Sequence, residues 1–245
     1  MPQGRRSTRA AGGFTLENPI YYIPVATTVL STAFAAVVFR RYLARGRPLH
    51  LLWWAMGIAV FGVGTFFEGY TALFGWYPAI FRGWYISGAL LGGAPLAQGT
   101  AYLLLRKRTA HALAIALVTT VCIASVFVLL TPLDRSLAQQ HKLAGDVIDW
   151  TWVRAFSPFL NTYAFLMLVG GAIVSAMHYS ESGDHRRTMG NVLIAVGATL
   201  PGIGGSFTRF GYTEVLYVTE FIGVITIYWG YRFNTERRAV AELQA

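Results

Sequence analysis

The chain has 245 residues, of which 55% are hydrophobic and only 13% charged, with a formal net charge of +9. An average soluble domain carries about 25% charged residues, so a soluble fold of this size would lack the charge to cover its surface. The composition excludes a cytosolic enzyme, a disordered chain and a nucleic-acid-binding domain, and it predicts a membrane protein whose main partner is the lipid bilayer.

A helical membrane crossing needs about 20 mostly apolar residues. Seven segments meet that length in chain order, roughly 20–39, 50–69, 83–105, 111–131, 158–178, 188–205 and 213–232. A basic tail (1–19) precedes them and a short tail (233–245) follows. The expectation is an all-α, seven-transmembrane helix bundle, because lipid offers no partner to backbone N–H and C=O groups outside a helix or a closed barrel. The alternation of a barrel strand is absent. The first span follows Arg5, Arg6 and Arg9 at a distance and ends in Phe39-Arg40-Arg41 without a small-residue cleavage site, so it reads as a retained span. The one long connection, 132–157, would hold a short interfacial helix near Val147–Phe156, with Trp150 and Trp152 at headgroup depth.

Orientation follows from lysine and arginine. The connections after spans 1, 3 and 5, together with the C-terminal tail, carry 12 of the 20 basic residues; the opposite side carries 8. The N-terminus is therefore expected outside and the C-terminus inside, in a bacterial inner membrane. The bias to arginine, with lysine only at positions 107 and 142, fits a GC-rich bacterial genome. Trp53, Trp54, Tyr228, Trp229 and Tyr231 fall at inner span ends, and Trp76, Tyr77, Trp84 and Tyr85 at outer ends, where amphipathic rings prefer to lie.

Packing signals are concentrated in spans 3 and 6. Gly88/Gly92 and Ala89/Gly93 put small residues four apart, which lets helix backbones approach within the chain or between copies of it. Pro95 and Pro201 each remove a helix N–H and predict kinks, and the stretch 201–206, PGIGGS, is expected to end the sixth helix early. Ile58-Ala59-Val60 before Phe74-Gly75-Trp76 is echoed by Ile194-Ala195-Val196 before Phe210-Gly211-Tyr212 at equal spacing. That echo would pair spans 1–3 with spans 5–7 as a parallel three-plus-one-plus-three repeat.

Ionisable residues inside a membrane are costly and mark candidate sites. Glu220 lies seven residues into the last span, roughly 10 Å deep, with Tyr217 on its face. Glu68 ends span 2, Arg82 begins span 3, and Arg209 follows the glycine-rich stretch. Each has a plain structural reading: Glu220 as half of a packing ion pair, Glu68 and Arg82 as an interfacial pair, Arg209 as a counter-charge. Gln98, Asn161 and Asn191 are amides inside spans, and Gln98 is expected to point inward with Pro95. The five histidines lie at span ends or in loops, and Cys122 stands alone, so no haem or metal site is indicated and no cofactor is expected. No nucleophile with a base partner is found, and enzyme chemistry has little support.

Seven helices, N-out and C-in, in this length resemble the microbial rhodopsin architecture, and Arg82-Gly83-Trp84-Tyr85 is similar to the arginine-aromatic start of that family's third helix. A retinal Schiff base needs a seventh-helix lysine, and this span has none. The spacing of spans 1–3 also resembles seven-helix sensor regions of histidine kinases. Residues 66–105 and 200–217 look like a bacterial seven-transmembrane family that brings no catalytic residues with it. The reading is of a protein that binds or senses a small ligand in an outward-opening pocket between spans 2, 3, 6 and 7, with Glu220, Arg209, Glu68 and Arg82 as polar contacts and Tyr217 and Trp84 as walls. The alternatives are a small-solute or proton-coupled transporter and an accessory subunit of a membrane complex.

Overall fold

The computed structural model describes residues 19–208 and 210–243, and they are all-α. Helix α1 (Ile23–Ala44) follows a 3-10 turn, Pro19–Tyr22, and carries Pro24 in its first turn, where a missing N–H costs nothing. Helix α2 (Leu49–Phe74) stops at Gly75, whose φ of +93° only glycine takes readily. The third predicted span is divided: α3 (Pro78–Trp84), a π-helical stretch (Tyr85–Leu91), a Gly92-Gly93 turn and α4 (Ala94–Leu104). The break lies before Pro95, which sits harmlessly in the first turn of α4. Helix α5 is Lys107–Leu130. The fifth span is α6 (Phe156–Phe165), a second π-helical stretch (Leu166–Gly170) and α7 (Gly171–Glu181).

Helix α8 (His185–Thr208) corrects one expectation: it runs through Pro201 and the glycine-rich stretch to Thr208. Its partner explains why. A β-carbon on Gly223 would stand 2.8 Å from the Gly197 carbonyl and 3.2 Å from Pro201 Cδ. The bare Gly223 backbone thus leaves room for the carbonyl that Pro201 releases and for the proline ring. Helix α9 (Thr213–Leu243) continues through most of the segment read as a tail.

Among the described residues, five helical segments are long and apolar enough to cross a membrane: Pro19–Ala44, Leu49–Phe74, Lys107–Leu130, Thr151–Glu181 and His185–Thr208. The surface is inverted to match a membrane-embedded chain. Ile115 and Phe159 are 69% and 71% exposed, while Thr27, Ser31, Thr65, Thr71 and Gln98 are buried. Gln98 points inward as expected; its Nε2 donates to Ala110 O (2.8 Å) and its Oε1 accepts from the Tyr163 hydroxyl (2.7 Å), tying α4 to α5 and α6. Cys122 is exposed on α5.

The helices close a ring. Helix α1 packs on α2, α2 on α4 and the first π stretch, and α4 on α6 and the second π stretch. Helix α7 packs on α8, α8 along α9, and α9 returns to α1. Helix α5 leans on the outside of this ring, against α4 and the first π stretch. The small-residue face of span 3 is used within the chain, since a β-carbon on Gly64 of α2 would stand 3.2 Å from Gly88 Cα.

The long connection is a plug rather than a surface helix. Two 3-10 turns, Gly145–Val147 and Thr151–Ala155, replace the expected helix. Asp134 N donates to Val147 O and Asp149 N to Pro132 O, so the segment folds back on itself. Leu143, Val147, Ile148 and Val153 are buried against Phe81, Tyr85 and Val128. The Ser136 hydroxyl and backbone N–H both donate to Asp134 Oδ1, which holds that carboxyl below the ordinary carboxylate range. At the same end, Lys142 Nζ reaches Gly211 O (3.0 Å) and Glu214 Oε1 (3.2 Å), fastening the plug to the α8–α9 turn.

Replacing Gly64 by leucine is expected to cost about 1–3 kcal/mol by overpacking, read as a lower thermal midpoint in detergent. Gly202→Ala, at a position with open space around it, should leave the midpoint nearly unchanged.

Candidate functional site

Glu68 occupies the last two turns of α2 and is only 4% exposed; Glu220 lies in the second turn of α9 and is 8% exposed. The two carboxyl groups come within hydrogen-bonding reach of each other. Ionised carboxylates only accept hydrogen bonds, so two carboxyl groups in contact call for a proton between them. Glu68 Oε1 also accepts the Trp84 indole N–H at 2.9 Å. The Oε2 atoms of both glutamates are buried with no donor from any other described residue.

The local sequence explains how an indole from the next helix reaches Glu68. Gly83 accepts the Phe67 ring, where a β-carbon would stand 2.6 Å from it, and Gly88 leaves the indole room, with a β-carbon there 3.3 Å from Trp84 Nε1. At Trp84 the helix changes to π geometry, which takes one more residue per turn and re-aims the side chains that follow. Trp84 and Tyr85 are therefore core residues, 9% and 3% exposed, and not the headgroup anchors that the sequence suggested.

Tyr217, one turn before Glu220, is buried near both carboxyl groups, with Tyr21 also near. Thr65, one turn before Glu68, shares a 2.9 Å hydroxyl contact with Thr28 of α1. The acidic pair is thus set in a small polar seam where α1, α2 and α9 converge.

Beside the pair lies a cavity of about 640 Å³ inside the helix ring. Glu68, Trp84 and Glu220 form one wall; Ser157 and Asn161 of α6 and Ser206 of α8 bring further polar groups. The remaining wall is mostly apolar, including Phe61, Phe165, Leu216 and Val224. Small-molecule pockets commonly have this size and this mix of apolar wall and few polar groups. Among the described residues, no lysine, arginine or histidine lines this cavity.

Of the six residues singled out in the sequence, the structure brings four together: Glu68, Glu220 and Trp84 at the cavity wall, with Tyr217 behind them. Arg82 is committed elsewhere. Its Nη2 donates to Thr131 O at 2.8 Å and its Nη1 to Val128 O, so it satisfies the last carbonyls of α5 and does not line the cavity. Arg209 lies outside the described residues. The sequence reading missed Thr65 and Ser157, and it named Asn161 as an amide inside a span without placing it at the site. That α6 faces α2 across the cavity is not visible in any single helix. Among the described residues, no group of three or more His, Cys, Asp or Glu side chains is placed to hold a metal ion.

Trp84→Phe keeps the ring but deletes the donor to a buried carboxyl oxygen. The expected cost is about 1–3 kcal/mol, measured as a drop in thermal midpoint, whereas Trp152→Phe, at a half-exposed ring, should cost little.

Comparison with protein-family models, curated proteins and solved structures finds no match to this chain.

Proposed function

We propose that this chain crosses a bacterial inner membrane seven times, N-terminus outside and C-terminus inside, and binds a small organic cation in the ring cavity. The further two crossings would be the α3–α4 unit and α9, in addition to the five apolar segments. The inward bias of loop arginines supports the orientation.

The observation that carries the binding reading is the chemistry of the cavity wall. Glu68 and Glu220 are the only ionisable groups among the described residues that line it. A carboxyl pair sharing one proton can release that proton when a cation arrives, and the apolar remainder of the wall suits an aromatic or alkyl body. Phenethylamine tests this, with 3-phenylpropionate as the isosteric anion. In nanodiscs the amine should raise the thermal midpoint saturably and the anion should not. Glu220→Gln and Glu68→Gln should each weaken amine binding about 10- to 100-fold, the worth of a charged hydrogen bond. Equal responses to the two compounds, or binding unchanged in both variants, would sink the proposal.

A second reading, transport, is favoured by one specific observation. A second cavity of about 630 Å³ opens beyond the first. The two share Phe34, Ile58, Leu96, Leu168 and Ile227 as a common apolar wall. Two chambers meeting end to end at an apolar septum are what an alternating-access path needs. The ring order is also compatible with the parallel repeat, since exchanging spans 1–3 for spans 5–7 preserves every neighbour and leaves α5 as the odd helix outside. Uptake of labelled phenethylamine into proteoliposomes, abolished in Glu220→Gln, is the expected result for a transporter; saturable binding without uptake identifies a binder or sensor.

A further inference from the structure

The second cavity has a character opposite to the first. It lies at the end of the bundle where α1 ends and α2, α7 and α8 meet the turns. Arg41 and Arg45 from the end of α1, His50 from the first turn of α2 and Arg187 from the first turn of α8 line it, and among the described residues no aspartate or glutamate does. The arginines are held in place by rings. The Arg41 guanidinium stands 5.7 Å from the Tyr231 ring centre and that of Arg187 5.2 Å from Tyr179, with Arg187 Nε also 3.5 Å from Asp184. Asn191 and Asn234, joined by a 3.1 Å hydrogen bond, add amides to the same wall. The other end of the cavity is the apolar septum.

Loop arginines on this side of a membrane protein are common and orient it. Such arginines need only be near the membrane surface, as exposed Arg40 and Arg47 are. Arg41, Arg45 and Arg187 differ, because they converge on one concavity from two separate helices while its depth is apolar. A cation cluster at the polar end and a hydrocarbon wall at the other complement a molecule with the reverse layout.

We propose that this cavity binds an anionic amphiphile, a phosphate or carboxylate head held by Arg41, Arg45 and Arg187 with its hydrocarbon chain directed to the septum. The head could belong to a bilayer lipid or to a free single-chain compound; the chemistry recognised is the same. The site is separate from the acidic pair and does not depend on cation binding there.

The test uses the full chain in phosphatidylcholine nanodiscs, with dodecyl phosphate as probe. Dodecyl phosphate should raise the thermal midpoint saturably. Inorganic phosphate at the same concentration should not, and neither should dodecyltrimethylammonium. Arg41→Gln and Arg45→Gln should each weaken the response about tenfold or more, while Arg40→Gln, which removes the same charge outside the cavity, should leave it intact. Arg45 is exposed, so its variant still reports if Arg41→Gln unfolds. Adding phosphatidylglycerol to the nanodisc separates the sources: loss of the dodecyl phosphate response means that bilayer lipid fills the site, and an undiminished response means that it takes a free amphiphile. An equal effect of the cationic detergent, or equal losses in Arg40→Gln and Arg45→Gln, would overturn the proposal.

Discussion

Two carboxyl groups side by side in an apolar bundle, Glu68 from α2 and Glu220 from α9, impose demands that the surrounding structure meets. They need a proton between them, because paired anions in such a place are too costly to persist. They need a donor, which Trp84 supplies. That donor needs a close passage between helices, which the glycines of α2 and the π stretch provide. Helices α2 and α9 are not extensive neighbours in the ring, and the acidic pair adds a polar contact between them to the apolar cluster they share with α1. The cavity beside it exists because the ring is held open there and sealed elsewhere by glycine-lined seams, above all between α8 and α9.

Much of this was legible from the chain. The five apolar helices long enough to cross a membrane coincide with segments that apolar run length picks out, and the two buried acids stand out because so few charges interrupt the apolar runs. Gln98 could be oriented from its neighbours on one helical face, and the Gly88 region could be recognised as a contact surface. What escaped was everything that depends on which helix faces which. No local periodicity joins position 68 to position 220, so each glutamate was assigned an arginine as its natural counterpart. Arg82 instead serves the carbonyls of α5, a demand visible only once α5 is seen to end beside it. Pro201 reads as a break in any single-helix argument; it is tolerated because a glycine lies opposite it on another helix. The plug over 131–155 has an aromatic composition suited to an interface, yet its apolar side chains find a protein core to enter.

The two chambers give the molecule a chemical polarity along its axis that net charge does not disclose. Among the described residues, one chamber has carboxyls and no cation, and the other has cations and no carboxyl. Between them stand five apolar side chains, among which Phe34 also packs edge-on against Tyr228 and Tyr231.

The closing of the ring by α1 and α9 has a consequence for biosynthesis. Glu68 emerges from the ribosome about 150 residues before Glu220. At translation rates of about 5–20 residues per second, that interval is roughly 8–30 s. Over that interval α2 carries an acid whose final partner has not been made. Trp84, only a helix away, arrives within about a few seconds and can occupy one carboxyl oxygen in the meantime. The indole is thus an early, local partner that can shelter Glu68 until the last helix completes the bundle.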